Sequence, residues 1–135
     1  MTLTESTETL SGKFETLKQL TILKIIGGYL EIIRNDTFTS SNNKLEELEI
    51  TSCSIFLIEP KTFVSLINLR ELNLSNNTLM RIAPGTFDGL SNLEILQLQR
   101  NNIYKIKDTA LNGLINLQIF DVFFNDVTEG IMRMS

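Results

Sequence analysis

The 135-residue sequence contains no histidine and no tryptophan, and Cys53 is its single cysteine. Histidine is the usual general base, proton shuttle and zinc ligand, so its absence removes the commonest means of acid–base catalysis and zinc binding. A lone cysteine cannot form a disulfide bond within the chain. We therefore predict that the protein is not an enzyme and that it has no catalytic residues, no metal site and no cofactor.

Basic residues are also scarce, because 12 lysines and arginines stand against 16 aspartates and glutamates. The net charge is −4 and the isoelectric point is about 4.8. A nucleic-acid-binding protein needs a basic surface to neutralise phosphates. The most apolar stretch, residues 20–33, is short for a membrane-spanning helix and carries Lys24 and Glu31. The composition thus argues against a nucleic-acid partner and against direct membrane insertion.

The sequence does contain an internal repeat. The stretch LRELNLSNN starts at residue 69, and leucines recur at a constant interval at positions 45, 69, 93 and 117. A repeat of this length is typical of a solenoid. We predict a repeat domain over residues 20–135, preceded in residues 1–19 by the remnant of another repeat or an N-terminal cap. The predicted units are 20–44, 45–68, 69–92, 93–116 and a partial unit at 117–135.

Each unit opens with a short alternation of apolar and polar residues. In LRELNL, Leu72 and Leu74 alternate with Glu71 and Asn73. A period of two predicts a strand whose leucines point inward and whose polar residues point outward. The chain then has to turn sharply, and backbone groups inside such a turn need hydrogen-bond partners. An asparagine amide, as at Asn77, offers both donors and an acceptor.

The full pattern, LxxLxLxxNxLxxIxxxxFxxLxx, resembles that of the leucine-rich repeat family over roughly residues 20–127. The resemblance implies an α/β solenoid, namely an arc with a short-stranded parallel sheet on its concave face. The convex segments are expected to be mostly irregular or short and helical. Phe63 and Phe87, which hold the same position in successive units, are expected to stack in the core of such an arc.

The resemblance also implies a structural role for the asparagine that ends each strand. In this family that residue forms a hydrogen-bonded ladder from coil to coil, and here the position holds Asn77, Asn101 and Asn125. Cys53 falls at the same position, where a small buried thiol is a known substitute. The alternative, a reactive thiol, lacks a basic residue nearby in sequence to lower its pKa. Gly28 at the equivalent place offers no side chain.

The outward strand positions predict the partner-binding surface. Thr51 and Ser75 are assigned to this outward set as well. Glu47, Glu49 and Glu71, hereafter the acidic patch, give it a negative centre. Two interpretations stay open, namely an ordinary solvated face and a contact surface for a basic protein. The predicted binding residues are Glu47, Glu49, Arg70, Glu71, Asn73, Gln97, Gln99, Asp121 and Phe123.

The unit form IAPGTFDGLSNLEIL is similar to the repeats of animal cell-surface and secreted proteins, such as Toll-like receptors, Slit and the small leucine-rich proteoglycans. This similarity implies an extracellular or cell-surface module that recognises a protein ligand on its concave or lateral face, in innate immunity or adhesion. A short cytoplasmic scaffold or adaptor is the alternative, since the opening MTLTESTETL has no signal-peptide pattern. A substrate-recognition part of a larger enzyme complex is a third interpretation.

Two features of the sequence bear on its context. Neither end carries a cysteine-rich cap, and we expect a fragment of a longer array in which further repeats or a partner cover the C-terminal end. Apolar residues crowd that end, namely Phe120, Phe123, Phe124, Ile131 and Met132. Asn35, Asn73 and Asn76 begin N-x-S/T sequons, but three such motifs are close to the number expected by chance and do not indicate secretion.

Overall fold

A computed structural model describes residues 1–3 and 10–130 of the chain. These residues form eleven short strands and one turn of 3-10 helix at Ser40–Asn42. In chain order the strands are β1 (Thr2–Leu3), β2 (Ile22–Ile26), β3 (Ile32–Ile33), β4 (Glu47–Thr51), β5 (Leu57–Ile58), β6 (Glu71–Asn73), β7 (Arg81–Ile82), β8 (Ile95–Gln97), β9 (Lys105–Ile106), β10 (Ile119–Asp121) and β11 (Glu129–Gly130).

The first strand of each coil belongs to one parallel sheet, in the order β1-β2-β4-β6-β8-β10. The pairing follows the repeat, because Leu48 lies opposite Leu72 and Leu72 lies opposite Leu96. Between β2 and β4 the offset is one position larger, as in the pair Leu23 and Leu48. The register of the sheet therefore reproduces both the regular period and the one longer unit.

The convex side is built from turns and two small parallel sheets. Strands β3 and β5 form one pair, and β11, β9 and β7 form the other sheet. No α-helix occurs in residues 1–3 and 10–130. The predicted solenoid with a parallel sheet is confirmed. Its convex segments are turns and two-residue strands with a single turn of 3-10 helix.

The 3-10 turn absorbs the extra residue of the first full unit. The Thr39 hydroxyl accepts a hydrogen bond from the Ser41 amide at 3.3 Å, and the Asn42 side chain accepts one from the Thr39 amide at 3.2 Å. This reciprocal pattern is a capping box, which satisfies amides that the helix leaves free. Asn42 is buried and also donates to the carbonyl oxygen of Phe14 at 2.8 Å, which ties this turn to the preceding coil.

The core is a continuous stack of aliphatic and aromatic side chains. The leucines that open the three central units are buried, with Leu45, Leu69 and Leu93 each 0% exposed. The rings of Phe63 and Phe87 lie 6.4 Å apart and nearly parallel, so the predicted stacking is confirmed. The stack continues through Phe38 to Phe14, with centroid distances of 6.2 and 5.8 Å. Residues of the N-terminal segment thus share one core with the repeats.

A left-handed residue follows each of the sheet strands β2, β4, β6, β8 and β10. Ser52, Asn76, Arg100 and Phe124 all have φ of 56° or 57°, and Gly27 takes the same role with φ 81°. Left-handed geometry costs most side chains about 1–2 kcal/mol, while asparagine and glycine adopt it more readily. In the pair of asparagines that closes LRELNLSNN, Asn76 makes the turn and Asn77 fills it with hydrogen bonds.

Two positions assigned to the outward face point elsewhere. Thr51 and Ser75 are buried, with 7% and 3% of their surface exposed. Both residues lie where the strand bends into the turn, so the simple alternation no longer applies. At the C-terminal end, Phe120 packs against the core, whereas Phe123 and Phe124 are 75% and 70% exposed. Ile131 and Met132 lie outside the described residues.

Candidate protein-binding surface

The asparagines that follow β6, β8 and β10 bond their coils to the preceding ones. The side-chain oxygen of Asn77 accepts hydrogen bonds from the amides of Cys53 at 3.0 Å and Ile55 at 3.2 Å. Its Nδ2 donates to the carbonyl oxygens of Ile50 at 2.8 Å and Leu74 at 3.0 Å. Asn77 is 6% exposed, so these bonds satisfy backbone groups that water does not reach.

Asn101 and Asn125 repeat this geometry in the next two coils. Asn101 accepts from the Leu79 amide at 3.1 Å, and Asn125 accepts from the Ile103 amide at 2.9 Å. Both donate to the carbonyl oxygen of Leu98, at 2.9 Å in each case. The ladder holds consecutive coils at a fixed spacing, and this spacing keeps the outward side chains of the sheet in columns.

Cys53 occupies the same position with fewer bonds. Its Sγ lies 3.2 Å from the carbonyl oxygen of Thr51 and 3.8 Å from that of Ile25. Burial raises the pKa of the Cys53 thiol, and a backbone hydrogen bond from Gly27 opposes the shift. A buried thiol with a raised pKa is a poor nucleophile. This environment suits a structural thiol.

The acidic patch forms along neighbouring strands of the sheet. Glu47 lies directly opposite Glu71, and Glu49 lies opposite Asn73. The Asn73 Nδ2 donates to Glu49 Oε1 at 3.3 Å. Lys24 is the strand neighbour of Glu49 on the other side. Within the described residues, the salt bridges are Arg34–Glu59 and Arg70–Glu94, so the three carboxylates of the patch have no salt-bridge partner.

The other predicted binding residues surround this centre. Gln97 lies opposite Asn73 on one side and Asp121 on the other. Arg70 is exposed and its Nη1 lies 2.8 Å from Glu94 Oε1, which neutralises its charge at the margin of the patch. The Asp121 carboxylate accepts a hydrogen bond from the Phe123 amide at 3.0 Å. The Oε1 of Gln99 is buried and has no hydrogen-bond partner in the described structure.

The surface is shallow. Glu47, Glu49, Glu71, Asn73 and Gln97 share a depression of about 80 Å³ with Lys24. Small-molecule sites usually enclose about 300–1,000 Å³. Among residues 1–3 and 10–130, no group of three or more His, Cys, Asp or Glu side chains is placed to hold a metal ion. No helix in this part of the chain is long and apolar enough to cross a membrane.

The structure also contains a site that was not predicted from the sequence. A groove of about 350 Å³ opens on the convex side between the second and third coils, and we refer to it as the convex groove. Phe56, Leu57, Met80, Arg81 and Tyr104 are among its lining residues. The sequence did carry a signal for it, since residues 56, 80 and 104 are bulky and follow the repeat interval at a position outside the buried framework.

Comparisons with known proteins agree with this geometry. A family model described as leucine rich repeat matches residues 43–103. Among 57 matching chains of solved structures is one from the crystal structure of a TLR13–ssRNA13 complex, with 27% sequence identity and a TM-score of 0.84. The match covers 89% of this chain and 17% of that one, so the chain spans about a sixth of its length. No curated protein sequence matches.

Proposed function

We propose that this leucine-rich repeat arc is a protein-binding module whose concave face recognises a protein ligand with a basic surface. The observation that carries the proposal is the acidic patch, in which Glu47 and Glu71 stand side by side without a salt-bridge partner in the described structure. Like charges on neighbouring strands oppose sheet stability. A basic partner would remove this repulsion on binding.

The shape of the surface favours a macromolecule. A depression of about 80 Å³ is too small to enclose an organic ligand, whereas protein interfaces are broad and nearly flat. The acidic patch also repels phosphates, which disfavours nucleic acid. The matched TLR13 chain comes from a complex with ssRNA13, and we attribute that ligand to TLR13 and not to this chain. In this chain, the negative charge of the sheet favours a protein.

We further propose that the module belongs to an extracellular receptor, adhesion or matrix protein. Its 24-residue units and the match at a TM-score of 0.84 to a chain of the TLR13 complex support this location. The alternative is a short intracellular scaffold, and the free thiol of Cys53 is compatible with it. Surface biotinylation of cells that produce the protein separates the two, because only a protein exposed outside the cell becomes labelled.

The binding proposal can be tested with a panel of purified secreted proteins and receptor ectodomains, half of them basic and half acidic. The chain is immobilised and each protein is passed over it. The test variant carries Glu47→Lys, Glu49→Lys and Glu71→Lys, which changes the net charge from −4 to +2 because each substitution adds two charges. The matched control carries Glu15→Lys, Asp88→Lys and Asp108→Lys, three exposed residues outside the sheet with the same total change.

We expect basic panel members to bind the parent chain and the control, and to bind the test variant at least tenfold more weakly. Rates of association with the parent should fall as salt rises, because steering by exposed charges is screened beyond about 8–10 Å at 0.10–0.15 M salt. Equal binding by the test variant and the control would remove the acidic patch from the interface. Binding confined to acidic panel members would contradict the proposal outright.

A further inference from the structure

Backbone hydrogen bonding between coils is interrupted at the convex groove. On the convex side, β5 pairs with β3 and β7 pairs with β9, but β5 and β7 do not pair. Among the described residues, no hydrogen bond joins residues 56–60 to residues 79–84. Each strand therefore turns an unpaired edge toward the groove. The corresponding segments of the next two coils are hydrogen-bonded to each other, since the Tyr104 amide donates to the carbonyl oxygen of Met80 at 3.0 Å.

Backbone hydrogen bonds join the two coils at both ends of this interruption. On one side the amide of Thr78 donates to the carbonyl oxygen of Ile55 at 2.9 Å. On the other side the amide of Lys61 donates to the carbonyl oxygen of Gly85 at 2.9 Å. These bonds hold the two coils together on either side of the groove. A polypeptide strand running through the groove would have to break them, so the space suits a compact ligand.

The lining of the groove combines exposed apolar side chains with one cationic side chain, Arg81. Phe56, Leu57 and Met80 are 43%, 46% and 48% exposed, which is high for neighbouring apolar side chains. The guanidinium of Arg81 lies 5.4 Å from the centroid of the Tyr104 ring, and its Nε donates to the Tyr104 hydroxyl. No carboxylate in the described part of the chain forms a salt bridge with Arg81.

We propose that the convex groove binds a small amphipathic carboxylic acid, with the hydrocarbon part on Phe56, Leu57 and Met80 and the carboxylate on Arg81. The volume of about 350 Å³ falls at the lower end of the range for small-molecule sites. An apolar pocket with a few convergent polar groups is the usual composition of such sites. The Tyr104 contact fixes the guanidinium beside the apolar lining, and no hydrogen bond from the Nη groups of Arg81 occurs among the described residues, so these groups can donate to a carboxylate.

The proposal is independent of the concave face. The groove lies on the opposite side of the arc and shares no lining residue with the acidic patch. A ligand here would leave Glu47, Glu49 and Glu71 free for a protein. The two sites can therefore be tested separately, and failure of one does not affect the other.

The test is a titration of the isotope-labelled chain with octanoate, followed by amide chemical shifts. The comparison ligands are 1-octanol, which has the same hydrocarbon chain without the charge, and acetate, which has the charge without the chain. For a ligand of this size we expect a Kd on the order of 1 mM for octanoate. The shifts should concentrate at residues 56–58 and 79–83. Acetate should produce none at the same concentration.

Two variants separate the two parts of the site. Arg81→Gln should weaken octanoate binding about threefold to fivefold, the range of a partly solvated ion pair, and leave 1-octanol unchanged. Met80→Gln should weaken both ligands, because it removes apolar lining from the groove. Lys18→Gln, an exposed cation in the N-terminal segment, is the charge-matched control and should change neither.

The outcomes decide the proposal. Octanoate shifts in the groove that depend on Arg81 support it. Equal binding of octanoate and 1-octanol, or an Arg81→Gln variant that behaves like Lys18→Gln, would show that the groove does not select a carboxylate and would overturn the assignment. An absence of groove shifts at octanoate concentrations about tenfold above the expected Kd would overturn it as well. Matching circular dichroism spectra of all three variants guard against misfolding.

Discussion

Replacing Asn101 by alanine would remove the inter-coil hydrogen bonds at the centre of the arc. Asn101 is 6% exposed, accepts from the Leu79 amide at 3.1 Å, and donates to the carbonyl oxygens of Leu74 and Leu98 at 3.0 and 2.9 Å. The two carbonyls keep a second asparagine donor each, Asn77 for Leu74 and Asn125 for Leu98. The Leu79 amide keeps no other partner in the described structure.

The expected loss of stability in Asn101→Ala follows from the hydrogen bonds that the substitution removes. Leaving a buried donor unsatisfied costs about 1–3 kcal/mol, and each further hydrogen bond lost costs about 0.5–1.5 kcal/mol. We therefore expect Asn101→Ala to lower the free energy of unfolding by about 3 kcal/mol. With a typical urea dependence of about 1–3 kcal/mol per molar, the unfolding midpoint should fall by roughly 1–3 M.

Related positions provide an internal scale. Asn77→Ala should cost at least as much as Asn101→Ala, because Asn77 accepts from two amides, those of Cys53 and Ile55. Asn125→Ala should cost about 1 kcal/mol, since Asn125 is only half-buried and water can replace part of its bonding. Asn102→Ala, an exposed neighbour, is the control and should change stability by less than about 0.5 kcal/mol.

The assay is urea unfolding followed by far-ultraviolet circular dichroism, because the chain has no tryptophan to report by fluorescence. The four variants should rank in stability as Asn102→Ala, Asn125→Ala, Asn101→Ala and Asn77→Ala, from highest to lowest. An Asn101→Ala midpoint equal to that of Asn102→Ala would refute the reasoning. A loss of stability in Asn125→Ala as large as that in Asn101→Ala would also refute it, because the burial of the asparagine would then have no influence on the cost.

Two further predictions concern single positions. Gly89 has φ +90°, and a Cβ there would lie 2.6 Å from the Val64 backbone. Gly89→Ala should therefore lower the free energy of unfolding by about 2 kcal/mol or more, which urea unfolding measures. Gly113 has open space around it and should tolerate alanine within about 0.5 kcal/mol; equal losses at the two glycines would contradict the packing argument. Burial raises the pKa of the Cys53 thiol above its ordinary value near 9. Its contribution to stability is therefore fully present below about pH 9 and declines as the pH rises further. The urea midpoint of the parent should fall more steeply than that of Cys53→Ser between about pH 8 and pH 10.5, and identical slopes would exclude this linkage.

Much of this fold can be predicted from the spacing of the leucines in the sequence. The leucine period sets the strand register, and the extra residue before Leu45 appears as the longer offset between β2 and β4. The strand register can be predicted from the leucine spacing because each coil buries the same framework positions against its neighbours. Alternation fails at Thr51 and Ser75, where the strand bends into the left-handed turn and buries both side chains.

The binding surfaces are less accessible to sequence reasoning. The outward positions of the sheet follow from alternation, and the pairing of Glu47 with Glu71 follows from the period. The convex groove depends instead on strands β5 and β7 failing to pair, which is a property of backbone spacing. Phe56, Met80 and Tyr104 mark the place at the repeat interval, but their pattern alone does not tell a groove from a packed ridge.

The central claim is that the concave sheet is the surface that binds protein. Hydrogen exchange of the chain, free and bound to a basic partner from the ectodomain panel, tests it most directly. We predict slower exchange on binding in residues 47–51, 71–73 and 95–97, with little change at residues 56–58 and 79–83. Protection confined to the convex segments, or to the exposed aromatic residues Phe123 and Phe124, would contradict the claim.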